Sequence, residues 1–107
     1  MRIPGLTHFI TGGTGGIGRH MVKYFHRLGG NVMALDKDAA ELAKLREELN
    51  NCDRLLTFEG DVTNDESVRE AVAATHKKWG DIHTCIPTAG AVHFKTLHDG
   101  LDHVLFK

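Results

Sequence analysis

The sequence predicts an α/β chain built on a parallel sheet with helices on both faces. Three observations predict it. Short apolar or β-branched runs alternate with longer amphipathic ones, the pattern of right-handed strand–helix–strand crossovers. Gly, Asp, Asn and Pro punctuate nearly every junction. The first strand–helix junction, ITGGTGGIGRH at residues 10–20, holds five glycines in eleven positions. Glycine at that density costs folding entropy, so the backbone there must adopt unusual dihedrals or let something approach closely.

The elements follow in order. THFIT (Thr7–Thr11) reads as the first strand. A helix follows over Gly16–Leu28, with Ile17, Met21, Phe25 and Leu28 predicted on its inner face, and Gly29-Gly30 turns the chain. NVMAL (Asn31–Leu35) is the second strand. Asp38 then starts a helix over Ala39–Leu49 that points Leu42, Leu45 and Leu49 inward, and Asn50-Asn51 makes the next turn. RLLTFE (Arg54–Glu59) is the third strand. Asn64 or Asp65 caps a helix over Asp65–Trp79, Val68, Val72, Thr75 and Trp79 line one side of it, and Gly80 closes it. IHTCI (Ile82–Ile86) is the fourth strand, with His83 read as a hydrogen-bonded core residue and Cys85 on its face.

Bulk properties narrow the function. A chain of 107 residues is enough for one domain and one core. The formal net charge of −1 offers no basic excess for nucleic acid or an anionic membrane surface. Apolar runs of only a few residues exclude a spanning helix, and the N-terminus lacks the apolar run and cleavage site of a secretory signal. Cys52 and Cys85 have neither metal nor redox spacing, so both read as free thiols in a reducing compartment, the cytoplasm. His93, His98 and His103 recur every five residues. On a helix that step turns about 140°, so the three do not share a face and no metal site is expected.

The glycine stretch carries the chemistry. It follows a predicted strand and opens a predicted helix. A helix N-terminus presents unpaired N–H groups and partial positive charge, which a pyrophosphate satisfies if no Cβ holds it away. Gly13-Thr14-Gly15-Gly16-Ile17-Gly18 fits G-x-G-x-x-G, and Thr11-Gly12 … Gly16-Ile17-Gly18 fits T-G-x-x-x-G-x-G. The plain alternative is a glycine-rich turn with no ligand. Asp36 lies just past the second strand, eighteen residues after Gly18, where a carboxylate accepts hydrogen bonds from adenosine ribose hydroxyls. It would also repel a 2′-phosphate. The cofactor read here is therefore NAD, with NADP the alternative because Lys37 adjoins. Asp36 and Asp38 also have the ordinary use of capping the next helix.

With these residues in view, the sequence resembles the short-chain dehydrogenase/reductase family. Thr11 to Gly18 resembles the family's cofactor motif, Asp61-Val62 its Asp-Val pair near the adenine ring, and Thr88-Ala89-Gly90 its Asn-Asn-Ala-Gly segment, with Pro87 and Thr88 in place of the two asparagines. Leu101–Leu105 resembles the start of the family's next long helix. The resemblance implies a Rossmann-like sheet of about four strands in the order 3-2-1-4. It implies a cofactor held by Gly12, Thr14, Gly15, Gly16, Ile17, Gly18, Asp36, Asp61, Val62, Ala89 and Gly90.

The family's catalytic set is missing from this sequence. The one tyrosine, Tyr24, is followed four residues later by Leu28, and Ser67 is the only serine, so no Tyr-x-x-x-Lys and no matching Ser are present. The expectation is a truncated cofactor-binding half, with residues 1–90 folded and 91–107 a loop and partial helix. The fourth strand would then expose an edge that invites a second copy or a complementing chain. Three functions stay open: part of an NAD(P)-dependent oxidoreductase, a non-catalytic dinucleotide-binding module, or a decayed sequence.

Overall fold

A computed structural model of the chain describes residues 4–88. The order is β1 (Thr7–Thr11), α1 (Gly16–Arg27), β2 (Asn31–Asp36), α2 (Ala39–Glu48), β3 (Leu55–Glu59), α3 (Asp65–Trp79) and β4 (Thr84–Pro87). The four strands form one parallel sheet in the order β3-β2-β1-β4, as the sequence reading expects. Residues 89–107, with Ala89, Gly90, the three spaced histidines and Leu101–Leu105, lie outside the described residues. No helix among the described residues is long and apolar enough to cross a membrane.

Strand alternation divides the core into two layers. Ile10, Val32, Ala34 and Leu55 face α1 and α2, meeting Val22, Phe25, Leu42 and Leu45. Phe9, Met33 and Leu35 face α3, meeting Val68, Ala71 and Val72. Each fully buried large side chain in these layers contributes about 1.5–3 kcal/mol. Register follows from the pairing: Thr11 lies opposite Leu35 on one side and Pro87 on the other. Among the described residues β4 pairs only with β1. Pro87, which has no N–H to give a ladder, is tolerated there at the strand's last residue.

Two expectations need correction. The inner face of α1 is Gly18, Val22 and Phe25, with Met21 half-buried, whereas Ile17 is 73% exposed and Leu28 38%. Phe25 and, in part, Met21 lie where the apolar pattern places them; Ile17 and Leu28 do not, because the inward stripe opens on Gly18, which adds nothing to that pattern. His83 is exposed and precedes β4, which starts two residues later than the pattern indicates. Its ring supplies the reason. Thr7 N–H donates to His83 Nδ1 at 3.0 Å, so a side chain takes the place of a ladder carbonyl. The buried histidine is His8 instead.

The helix starts agree with their caps. Asp38 accepts from Glu41 N–H at 3.1 Å, and Asn64 accepts from Glu66 and Ser67 N–H at 3.0 and 3.2 Å. Replacing Asn64 with alanine leaves both N–H groups to water. Asn64→Ala is expected to lower stability by about 1 kcal/mol, read as a shift of the urea midpoint with unchanged slope. No shift would mean that solvent caps α3 equally well.

Candidate functional site

The strand order makes the site's location a consequence of topology. The chain winds outward from β1 through β2 to β3, then returns to place β4 on β1's other side. At such a reversal the loops after β1 and β4 diverge and leave a crevice at the carboxyl ends of the strands. The glycine stretch follows β1, Asp36 ends β2, Asp61 follows β3 and Thr88 follows β4, so four predicted segments come to one end of the sheet.

The glycines divide into two groups. Gly12 has φ +68°, a conformation L side chains rarely adopt, and its N–H donates to Leu35 O at 2.8 Å. A Cβ on Gly18 would lie 1.9 Å from Gly12 O, and one on Gly13 would lie 2.8 Å from Ala34 Cβ. These three are required by the protein's own packing. Gly16 differs: a Cβ there meets nothing within 4 Å, and at Gly15 it would make only ordinary contact, 3.6 Å from Gly12 O. Both are exposed. Their bareness leaves an open corner at the mouth of α1, beside the exposed Ile17.

The three helix starts contrast. α2 and α3 each have a side-chain cap and an acidic residue in the first turn. The N-cap of α1 is Gly15, which supplies no side-chain acceptor, and no acidic residue lies in its first turn. The positive end of α1's dipole thus faces solvent through the bare corner, a setting suited to an anion.

Asp36 stands at the rim, where β2 runs one residue further than its apolar pattern. Its Oδ2 accepts from Thr14 N–H at 3.1 Å and from Thr14 Oγ1–H at 2.7 Å, and its Oδ1 accepts from Asp38 N–H at 3.1 Å. Burial pushes this carboxyl's pKa up, but hydrogen bonds from Thr14 and from the Lys37 and Asp38 amides outweigh burial and hold it below the ordinary carboxylate value. Asp61 Oδ1 accepts from Thr63 Oγ1–H at 2.7 Å and Thr63 N–H at 2.9 Å, which shapes the turn after β3; Val62 is half-buried against the α3 layer. Thr88 N–H donates to Thr11 O at 3.1 Å, and the Thr88 hydroxyl lies against both Thr11 O and Gly12 O, so it clamps the end of β4 to the glycine corner.

Two links were not legible in the sequence. The Thr14–Asp36 bond spans 22 residues and joins the glycine corner to the end of β2. Arg19 donates to Glu41 at 2.8 Å and to Glu48 at 2.5 Å, tying the first turns of α1 to α2. Burial pushes the Cys85 thiol up to about 11, which keeps it protonated at neutral pH. Among the described residues no group of three His, Cys, Asp or Glu is placed to hold a metal ion.

Comparison with known proteins agrees with this geometry. Residues 7–106 match the short chain dehydrogenase family. The chain is 38% identical over 96 residues to a cis-2,3-dihydrobiphenyl-2,3-diol dehydrogenase of Paraburkholderia xenovorans (strain LB400), covering 90% of this chain and 34% of that protein. Its fold is similar to that of a 3-ketoacyl-(acyl-carrier-protein) reductase of Brucella melitensis complexed with NADH, with TM-score 0.72 and 29% identity over 78% of this chain and 34% of that one. It is also similar to the C-domain with NADP of a bacterial malonyl-CoA reductase, with TM-score 0.76 and 35% identity over 84% of this chain and 15% of that one. The chain spans 34% of the length of the first dehydrogenases it matches. By sequence match and by fold alike, the chain belongs to the short-chain dehydrogenase family.

Proposed function

We propose that this chain is the dinucleotide-binding part of an NAD-dependent oxidoreductase. The observation that carries the reading is the uncapped start of α1 behind two glycines, Gly15 and Gly16, whose bareness the protein's own packing does not require. The pyrophosphate sits on Gly12, Thr14, Gly15, Gly16 and Gly18 and takes the free N–H groups of α1's first turn. The exposed Ile17 is covered by the bound cofactor. The adenosine ribose donates to Asp36, the adenine lies by Asp61 and Val62, and the inner ribose lies near Ala89 and Gly90. Asp36 is anionic at neutral pH and repels a 2′-phosphate, which favours NAD over NADP. When bound, the cofactor supplies the hydride acceptor or donor; this chain's residues bind and orient it.

The whole protein's reaction is oxidation of an alcohol or reduction of a carbonyl. A cis-dihydrodiol, the substrate class in the names of several relatives, is the first to try. A second reading, a non-catalytic dinucleotide-binding module, rests on one observation. The only tyrosine, Tyr24, lies in the later half of α1, away from the strands' carboxyl ends, where it packs edge-on against Phe25 at 5.4 Å.

Isothermal titration with NADH and NADPH tests the reading. The folded chain is expected to bind NADH more tightly than NADPH. Asp36→Ala should weaken NADH by about tenfold or more, the low end for hydrogen bonds to a charged group, while affecting NADPH less. A folded chain that binds neither nucleotide overturns the proposal.

A further inference from the structure

We propose that the Thr14 hydroxyl is an internal occupant of the acceptor that Asp36 offers, and that a ribose diol binds by displacing it. The proposal rests on the dinucleotide reading above and adds a residue that sets the affinity of that site.

Counting lone pairs leads to it. An ionised carboxylate has about four acceptor positions. Thr14 takes two of them on Oδ2, one through its N–H and one through its hydroxyl. On the other side Asp38 N–H donates to Oδ1, and the Lys37 amide adds a further favourable contact. A diol that donates both hydroxyls needs two positions, and the protein leaves at most one. One resident donor must therefore leave.

Mobility decides which. The Asp38 amide belongs to the residue whose side chain caps α2, and Asp38 O accepts from Leu42 N–H at 3.0 Å, so its peptide is built into the helix start. The Thr14 amide is flanked by Gly13 N–H on Leu35 O and Gly15 N–H on Gly12 O. Moving any of these amides disturbs the main chain. The Thr14 hydroxyl alone leaves by rotation about one side-chain bond, and Thr14 is only half-buried, so the rotated group reaches water. The contact it gives up is the shortest of the set, 2.7 Å to an anion. In the absence of ligand the hydroxyl thus mimics one ribose hydroxyl and holds the carboxylate ionised and oriented. In its presence the two compete.

The competition fixes the sign of the test. Thr14→Val keeps the branched shape and removes the hydroxyl, so the ribose displaces only water. Thr14→Ser keeps the hydroxyl. By titration calorimetry, Thr14→Val is expected to bind NADH about three- to tenfold more tightly than the parent chain, part of the strength of a charge-assisted bond, with Thr14→Ser close to the parent. NADPH carries a phosphate on one of the two hydroxyls and should gain less, so the NADH-to-NADPH ratio rises. A second readout needs no cofactor: the ¹³C titration of the Asp36 carboxyl should move toward the ordinary carboxylate value in Thr14→Val and stay put in Thr14→Ser. Thr14→Ala serves as a second hydroxyl-free variant if the valine does not fold. Unchanged or weaker NADH binding in a folded hydroxyl-free variant overturns displacement. An unchanged Asp36 titration overturns occupancy. Failure of the parent chain itself to bind NADH overturns the dinucleotide reading and displacement with it, while the carboxyl titration still judges occupancy alone.

Discussion

Gly18→Ala is expected to lower folding stability by about 3 kcal/mol, the top of the range for overpacking, and to abolish NADH binding. Gly16→Val is expected to abolish binding while the urea midpoint stays within about 0.5 kcal/mol of the parent, as for a change away from packed groups. The two glycines lie in the same motif, two residues apart, and their environments are opposite. At Gly18 the added carbon lies 1.9 Å from Gly12 O and 2.7 Å from Gly12 C, both main-chain atoms that no rotamer moves aside. The same carbon approaches the Thr88 hydroxyl at 2.8 Å, so relief would also unclamp the end of β4. At Gly16 nothing lies within 4 Å, and the valine projects into the space where the phosphates are proposed to sit. Urea unfolding and NADH titration on both variants separate the roles. Unimpaired stability in Gly18→Ala would refute the close approach of α1 to the corner. Retained binding in a folded Gly16→Val would remove the phosphates from that corner.

That contrast marks how far the sequence could be read. The motif, the strand before it and the helix after it were all legible, because periodicity and turn residues are local signals. β1 and α3 begin and end where the patterns place them, and the other elements lie within two residues. Which glycine serves packing and which serves a ligand was not legible, since that depends on Gly12 O and Ala34, brought close by the fold. The rotation of α1 escaped for a related reason. Its inward face begins at Gly18, which adds nothing to an apolar pattern, so the pattern starts the stripe at Ile17 instead. The exposure of Ile17 beside the corner is what the proposed contact with the cofactor requires. Asp36 is legible as a candidate by its spacing, but its tie to Thr14 is not, because a bond across 22 residues leaves no periodic trace. Only the reading of His83 as a core residue fails, and no signal separates it from His8: THFIT and IHTCI each hold one histidine in an apolar run.

His8 gives the second large effect, a loss of stability on mild acidification. Its ring is fully buried between β1 and α1, stacked on Phe25 at 4.2 Å and 15°, with Gly30 so close behind that a Cβ there would lie 2.8 Å from the ring. Among the described residues neither ring nitrogen has a hydrogen-bond partner. Burial, and then the nearby charge of His83, hold its pKa below the ordinary 6.5. The sign follows by linkage. Between the folded value and 6.5 the unfolded chain binds the proton and the folded chain does not, so lowering the pH favours unfolding. Stability from neutral His8 is complete above about pH 6.5 and is lost as pH falls through the folded value, at ~1.4 kcal/mol for each unit between the two. His26, lowered by burial and then by Arg54, acts in the same direction. Asp36 and Asp61 also sit below the ordinary 3.8, so their contributions persist to lower pH and fall in a separate window. Urea unfolding at steps from pH 8 to 5 should show stability falling below about pH 6.5, and His8→Leu should flatten most of that fall. Because leucine cannot take up a proton, a slope as steep in His8→Leu as in the parent chain would assign the acid sensitivity to other groups.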